Sequence, residues 1–228
     1  MKYLYFGIDL FVVVVPAIFS FHSSLKFYKH WRGFFITNSI VSILFIVWDI
    51  IFTKSGIWSF NPRYVSGLYI FQLPIEEILF FISIPFSCVF TFYCIHRFYV
   101  VRWKPAFETV FFVLLSLILG LVGVFFRSGI YTLIAFESTV LVIVFIKFIF
   151  RVEWMAQFML AYCLLLFPFL IVNGILTGTG LDEPVVRYQN TQIIGARMFS
   201  IPVEDFVYGF ELQLLNVFGF MKLYPKKF

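Results

Sequence analysis

Seven long apolar runs dominate the chain and restrict it to an environment in which such runs can be buried. The runs are Tyr3–Phe21, Phe34–Phe52, Ile75–Arg97, Phe107–Phe126, Ile130–Phe150, Met155–Leu176 and Val203–Phe220. Each has close to the roughly 20 residues that a helix needs to cross a bilayer, and none alternates like a barrel strand. With 62% hydrophobic and 13% charged residues, too little polar surface remains to enclose a soluble globule. The sequence therefore predicts an all-α integral membrane protein with seven transmembrane helices. It excludes a soluble enzyme, a disordered chain and a free nucleic-acid-binding module.

The first run and the cysteines show no sign of processing or of metal binding. Only Lys2 precedes the first run, and no small-residue cleavage site follows it, so we expect a retained helix rather than a signal peptide. Cys88, Cys94 and Cys163 lie in apolar runs at no metal-ligand spacing. A disulfide framework and a zinc site are therefore both unsupported.

Basic and acidic residues favour opposite faces of the predicted membrane domain. One face holds 11 of the 17 Lys and Arg residues, namely Lys26, Lys29, Arg32, Arg97, Arg102, Lys104, Lys147, Arg151, Lys222, Lys226 and Lys227. The positive-inside rule makes this face cytoplasmic, with the N-terminus outside and the C-terminus inside. The opposite half holds most of the acids, namely Asp9, Asp49, Glu76, Glu77, Glu137, Asp182, Glu183, Glu204 and Asp205. Charges within a membrane are expensive, so this acidic set indicates a functional site.

An internal repeat appears when the chain is compared with itself at an offset of 128 residues. Ser66–Glu77 then aligns with Ile194–Asp205, with identities at Gly67/Gly195, Phe71/Phe199, Pro74/Pro202 and Glu76/Glu204. The same offset pairs Tyr3 with Tyr131 and Asp9 with Glu137, and a small slip in register relates Asp49 to Asn173. A match at both ends of one unit is not expected by chance.

The repeat predicts three helices, a linking fourth helix and three more helices in the same orientation. We expect a first repeat over residues 1–100, a linking helix over 101–128 and a second repeat over 129–228. Parallel repeats of this kind are related by an axis along the membrane normal. Both Pro-x-acid-acid motifs should then start helices that face one central cavity.

Two interpretations of the motif remain open at this point. Pro74 and Pro202 could simply start helices whose first-turn acids interact with free backbone amides. Alternatively, the duplicated acid pairs could perform acid–base chemistry, because an apolar environment and neighbouring carboxylates both favour a protonated carboxyl group. The abundant phenylalanines, mostly lipid-facing, could also supply ring faces that stabilise a cation.

Other kinds of site are not supported by the sequence. His22, His30 and His96 show no ligand spacing and are better explained as interfacial anchors. No dinucleotide fingerprint, phosphate loop or Asp-x-x-x-Asp pattern occurs. We therefore expect neither a cofactor nor a metal.

The motifs resemble those of a known family. Seven spans, Pro74–Glu77, Pro202–Asp205 and the stretch from Trp48-Asp49 to Gly56-Ile-Trp58 are similar to a lycopene cyclase. The type is the one found as small paired subunits or as a fungal domain, here with both subunits fused in one chain. The second motif ends in Asp, and Arg197 precedes it where the first half has Tyr69.

The resemblance implies a cofactor-independent isomerisation of lycopene to a carotene with β-ionone rings, through a carbocation. We expect Glu76 and Glu204 to be the acid/base pair, with Glu77 and Asp205 tuning or relaying protons. The residues expected to bind substrate or support the acids are Asp49, Asp9, Glu137, Pro74, Pro202, Trp48, Trp58, Phe71 and Phe199. The expected partners are the bilayer, the carotenoid and other carotenoid-synthesising enzymes, without nucleic acid, in the cytoplasmic membrane of a bacterium.

Two alternatives remain. One is a small-solute transporter, since such transporters also use a repeat of three, one and three helices, and Pro16, Pro85 and Pro168 could be hinges. The other is a cyclase or hydratase of a related C40 or C50 carotenoid.

Overall fold

A computed structural model describes residues 1–223, so Lys226 and Lys227 of the predicted cytoplasmic face lie outside the described residues. The described residues form seven α-helices: α1 (Leu4–Phe19), α2 (Trp31–Lys54), α3 (Ile75–Phe98), α4 (Pro105–Phe125), α5 (Ile130–Ile143), α6 (Met155–Leu176) and α7 (Val203–Leu223). A 3-10 turn over Phe27–His30 leads into α2, and α5 continues as a π-helix over Val144–Ile149. The prediction of an all-helical chain is confirmed.

Five helical segments of the described chain are long and apolar enough to cross a membrane. They are Phe27–Lys54, Ile75–Phe98, Pro105–Phe125, Ile130–Ile149 and Met155–Leu176. α1 is apolar but has 16 residues, and α7 carries several acids. Phe11, Leu121 and Phe167 are 71–74% exposed, as expected for side chains that face lipid. The architecture is that of a membrane protein, and crossing by α1 and α7 stays a prediction.

Short hairpins lead into two of the helices. β2 (Tyr69–Ile70) pairs with β3 (Leu73–Pro74) directly before α3, and β5 (Arg197–Met198) pairs with β6 (Ile201–Pro202) directly before α7. We call this end of the molecule the hairpin end. Each proline lies immediately before its helix, where its missing N–H removes no helical hydrogen bond.

A further strand pair joins the two halves at the hairpin end. β1 (Trp58–Phe60) and β4 (Val186–Tyr188) are antiparallel, with Ser59 opposite Arg187 at the centre of the register. The repeat offset of 128 residues superimposes these two central positions. Pairing of equivalent residues with each other is the pattern produced by a twofold axis. The halves therefore meet about a local twofold axis.

α3 and α7 lie side by side at the centre of the molecule. α3 packs against α1, α2, α6 and α7, while α7 also packs against α2, α5 and α6. α4 packs against α5. This arrangement brings the acidic first turns of α3 and α7 together at the hairpin end.

Two prolines inside helices free carbonyl groups that neighbouring helices then bind. Pro16 has no N–H for the carbonyl of Val12, which instead accepts a hydrogen bond from Ser87 Oγ on α3 at 2.9 Å. Pro85 likewise leaves the carbonyl of Phe81 free. That oxygen accepts bonds from Asn38 Nδ2 at 2.9 Å and Ser42 Oγ at 2.8 Å. These bonds fasten α1 and α2 to α3, as membrane interiors require of exposed backbone groups.

The bond at Pro16 can be tested with a double-mutant cycle. We expect Ser87→Ala to lower the free energy of unfolding by about 1 kcal/mol, because the Val12 carbonyl loses its partner from α3. In a Pro16→Ala background the restored N–H can satisfy this carbonyl, so the same substitution should have a smaller effect. Unfolding in detergent micelles measures both values, and equal effects in the two backgrounds would contradict the interpretation.

Candidate active site

The first acid of each motif holds the base of its hairpin. Glu76 Oε1 accepts a hydrogen bond from the backbone N–H of Ser66 at 2.6 Å, and Glu204 Oε1 accepts one from Ile194 at 2.6 Å. These two bonds coincide under the repeat offset. Glu204 also accepts a bond from the Thr132 hydroxyl at 2.6 Å. Both glutamates are fully buried, and the second oxygen of each has no hydrogen-bond partner among the described residues.

The second acid of each motif receives a tyrosine hydroxyl from the first helix of its own half. Tyr5 donates to Glu77 Oε2 at 2.6 Å, and Tyr131 donates to Asp205 Oδ1 at 2.8 Å. Tyr5 and Tyr131 are 126 residues apart, so Tyr5 rather than Tyr3 is the counterpart of Tyr131. Tyr3 is 61% exposed, which fits this reassignment.

Each second acid also contacts a polar residue near the end of the preceding helix. Asp49 of α2 lines the cavity beside Glu77, close enough for the two carboxyl groups to interact electrostatically. In the second half, Asn173 Nδ2 donates to Asp205 Oδ2 at 2.8 Å. Asp49 and Asn173 therefore occupy equivalent positions, as the shifted register predicted.

Two further tyrosines donate hydrogen bonds at this level, and one of them, Tyr208, crosses between the halves. Tyr208 of α7 donates to Asp49 Oδ1 at 3.1 Å, and Tyr188 of β4 donates to Asp205 Oδ2 at 2.9 Å. Burial raises the pKa of Tyr188 well above its usual value, and the charge of Asp205 raises it further. The Tyr188 phenol therefore stays protonated and serves as a donor.

A cavity of about 340 Å³ extends from these groups into the helices. Its wall is built mainly from α1, α3, α6 and α7, with Asp49, Glu77, Asn173 and Asp205 at the hairpin end. From Glu77 to Thr91, both in the wall, α3 runs for roughly 20 Å. The deeper wall is mostly apolar, as in Val12, Ile84, Leu165, Leu166, Phe169 and Leu212. The shape suits a long hydrocarbon whose end reaches the acids.

Aromatic rings surround the acidic end of the cavity. The Trp58 ring lies 5.1 Å from Tyr131 and 6.1 Å from Tyr188, and those two tyrosines stack at 5.9 Å between centroids. Tyr208 is 6.4 Å from Trp58. A cation held within about 6 Å of such a ring face is attracted by about 0.5–2 kcal/mol per ring.

The cavity lies on the α6 side of the local twofold axis. The equivalent space beside α2 is filled in the described structure by Phe45, Trp48 and Phe81, with the Tyr208 ring 5.0 Å from Phe45. Phe45 and Phe81 are completely buried. Two homologous halves thus build one asymmetric site.

The predicted site residues occupy several different locations around the cavity. Glu77, Asp205, Asp49 and Trp58 line the cavity, whereas Glu76 and Glu204 lie behind it at the hairpin bases. Pro74 and Pro202 are buried at the helix starts and position the acids. Trp48 stacks on Phe45 and contacts Tyr208 behind the cavity wall.

Four predicted residues lie away from the cavity. Phe71 and Phe199 occupy the exposed hairpin tips with positive φ values of 50° and 56°, because tight hairpins need this conformation at the turn. Glu137 faces α4, since a β-carbon on Gly123 would lie 2.7 Å from its carboxyl oxygen. Asp9 is buried on α1, close enough to Glu77 and Glu76 for electrostatic interaction, and both its oxygens lack partners among the described residues.

The phenols of Tyr5, Tyr188 and Tyr208 were not predicted as site residues. Their sequence signal is weak, because tyrosine is also common at membrane interfaces. At the exact repeat offset of 128 residues, Tyr5 is not aligned with Tyr131. The same offset aligns Tyr188 with Phe60 and Tyr208 with Phe80.

Comparison with known proteins agrees with this geometry. The family model described as "Lycopene cyclase" matches residues 2–95 and again residues 128–223. No curated protein and no solved structure matches the chain significantly. The two matched regions cover most of the sequence and both acidic motifs. The chain therefore belongs to the lycopene cyclase family, with two homologous halves fused in one polypeptide.

Proposed function

We propose that the protein is an intramembrane lycopene β-cyclase that works by acid–base isomerisation. The observation that supports this best is the apolar cavity that ends at Glu77, Asp49 and Asp205 beneath a ring of phenols. An apolar substrate dissolved in the bilayer can place its end group among these carboxyl groups. Few other reactions need isolated acids at the end of a hydrocarbon channel.

The reaction balances without an oxidant or reductant. An acid gives its proton to C2 of the terminal isoprene unit, which leaves a cation at C1. The C5=C6 electron pair then forms the C1–C6 bond and moves the cation to C5. A base removes the C6 proton, and that electron pair restores the C5=C6 double bond. One proton enters and one leaves, so the product has the mass of the substrate.

Glu77 and Asp205 are better placed for these proton transfers than Glu76 and Glu204. The former line the cavity, whereas the latter accept backbone hydrogen bonds at the hairpins. A general acid or base must come within hydrogen-bond reach of the reacting atom. We therefore assign proton transfer to the second acid of each motif and support of the hairpin to the first.

We expect this cavity to accept one end of the carotenoid at a time. Its volume of about 340 Å³ lies at the lower end of the range for small-molecule sites. The rest of the polyene would extend between helices toward lipid. Formation of a second ring then requires release and rebinding of the other end.

We also propose that all seven helices cross the bilayer as a parallel repeat of three, one and three, with the hairpin end outside. The opposite end carries most of the basic residues, among them Arg97, which donates to the carbonyl of Ser24, and Lys147, which pairs with Glu108. Such an excess favours the cytoplasmic side.

Expression in a lycopene-accumulating bacterium tests the activity. We expect the pigment to gain β-ionone end groups at unchanged mass, as read by chromatography and mass spectrometry. Unchanged lycopene would contradict the proposal. A product heavier by one water would indicate a hydratase, and solute uptake into vesicles without pigment change would indicate a transporter.

Substitution within each acid pair tests the assignment of roles. Glu77→Gln and Asp205→Asn should each lower ring formation by about 100-fold or more, because they remove a proton-transfer group. Glu76→Gln and Glu204→Gln should retain much more activity, since the amide oxygen can still accept the backbone hydrogen bond. Pigment yield per amount of membrane-inserted protein is the measurement.

Glu211→Gln is the matched control for these variants. Glu211 is a buried acid of α7 that accepts bonds from Ser138 at 2.6 Å and Thr139 at 3.0 Å, and it does not line the cavity. This variant should stay close to wild type. Loss of activity in Glu76→Gln together with full activity in Glu77→Gln would reverse the assignment.

The size of residue 209 tests whether the cavity holds the substrate. A β-carbon on Gly209 would lie 3.6 Å from Phe169, so Gly209→Ala should be tolerated. Gly209→Leu should fill the channel and lower activity about tenfold or more. Gly7→Leu is the control, since a β-carbon there meets no neighbouring group within 4 Å among the described residues. Equal activity of the two leucine variants would contradict the location of the channel.

A further inference from the structure

The two halves differ chemically at one pair of equivalent positions beside the second acid. Asp49 contacts Glu77 in the first half, and Asn173 contacts Asp205 in the second. All four side chains line the same cavity. Carboxyl and carboxamide groups have nearly the same shape, so the difference changes hydrogen bonding rather than packing.

The first-half pair is expected to hold a proton. Glu77 and Asp49 are buried side by side in the wall of one apolar cavity, and two neighbouring carboxyl groups in such a place do not both ionise readily. Tyr5 donates to Glu77 Oε2 and Tyr208 donates to Asp49 Oδ1, so each carboxyl group keeps one oxygen for a shared proton. The pair is only 2–8% exposed, so bulk water has little access to it.

The second-half acid has the opposite surroundings. Asp205 accepts three hydrogen bonds, from Tyr131 at 2.8 Å, Asn173 at 2.8 Å and Tyr188 at 2.9 Å. The Asn173 amide nitrogen is only a donor, and Tyr188 stays protonated. Three donors around one carboxyl group suit its ionised form.

We propose, resting on the cyclase function above, that the Glu77–Asp49 pair gives the proton to the substrate and that Asp205 removes one. The pair's proton goes to C2 of the end group and leaves two carboxylates, one stabilised by the Tyr5 hydroxyl and the other by the Tyr208 hydroxyl. Ionised Asp205 faces the developing cation and then takes the proton from C6. Loss of that proton from Asp205 to solvent and uptake of another by the first-half pair reset the site for the next ring.

Two single variants, Asp49→Asn and Asn173→Asp, test proton donation and proton removal separately. In Asp49→Asn the amide donates to Glu77, the shared proton is lost, and protonation of lycopene should stop. In Asn173→Asp the new carboxyl can share a proton with Asp205, so protonation continues while removal of the C6 proton fails. Ring formation should fall about 100-fold or more in both variants.

Deuterium labelling distinguishes these failures. Membranes that contain each variant are incubated with lycopene in D₂O, and recovered carotenoids are analysed by mass spectrometry. Wild-type product should carry one deuterium per ring at C2. Asn173→Asp and Asp205→Asn should return deuterated lycopene or rings with a displaced double bond, because the cation forms and reverts. Asp49→Asn and Glu77→Gln should return unlabelled lycopene.

The controls keep failure of this assignment apart from failure of the proposed function. Absence of ring formation in wild type would refute the function itself. Labelled lycopene from Asp49→Asn and Glu77→Gln, or unlabelled lycopene from Asn173→Asp and Asp205→Asn, would refute only the assignment. Membrane content and thermal stability identify any variant that fails to fold, and the second variant of each pair then decides.

Discussion

Four carboxyl groups are buried at the starts of α3 and α7, and an apolar interior tolerates them only where hydrogen-bond donors are supplied. Most of these hydrogen-bond donors lie at the hairpin end. Backbone amides of the loops bind Glu76 and Glu204, while tyrosines from α1 and α5 bind Glu77 and Asp205. The same constraint explains why β1 and β4 close over the acids, since this pair places Tyr188 on Asp205. The hydrogen bonds that these carboxyl groups require therefore connect the loops, the helix starts and the cavity.

Duplication supplied two copies of this arrangement, and divergence made them unequal. In the described part of the chain, Phe45 and Phe81 are fully buried in the space beside α2, whereas α6 forms part of the cavity wall. At the acids, Asn173 stands where the first half has Asp49. A twofold site with identical acids would offer no reason for one to donate a proton and the other to accept it. In the proposed mechanism, unequal surroundings separate the two roles, as they do for catalytic carboxyl pairs in general.

Sequence patterns alone predicted the helices, the repeat and the acid pairs, because each depends on local residue order. The start of α3 at Ile75 and both ends of α6 agree with the predicted apolar runs. The division of roles that we propose within each acid pair could not be predicted from sequence, since adjacent residues on a helix point in directions about 100° apart. Which direction meets the cavity depends on packing. Phe71 and Phe199 aligned in the repeat for a different reason, as matching hairpin tips. Tyr208 acts across the two halves, a contact that only the tertiary structure creates.

The most direct test of the account is the structure of the Asp205→Asn variant with lycopene bound in a lipid nanodisc. We expect one end of the polyene between Glu77 and residue 205, with C2 of the end group about 3.5 Å from a carboxyl oxygen of the Glu77–Asp49 pair. The chain should then follow the wall formed by α3 and α6. An end group located at Glu76 or Glu204, or a polyene bound outside this cavity, would contradict the central claim that the second acid of each half performs the chemistry.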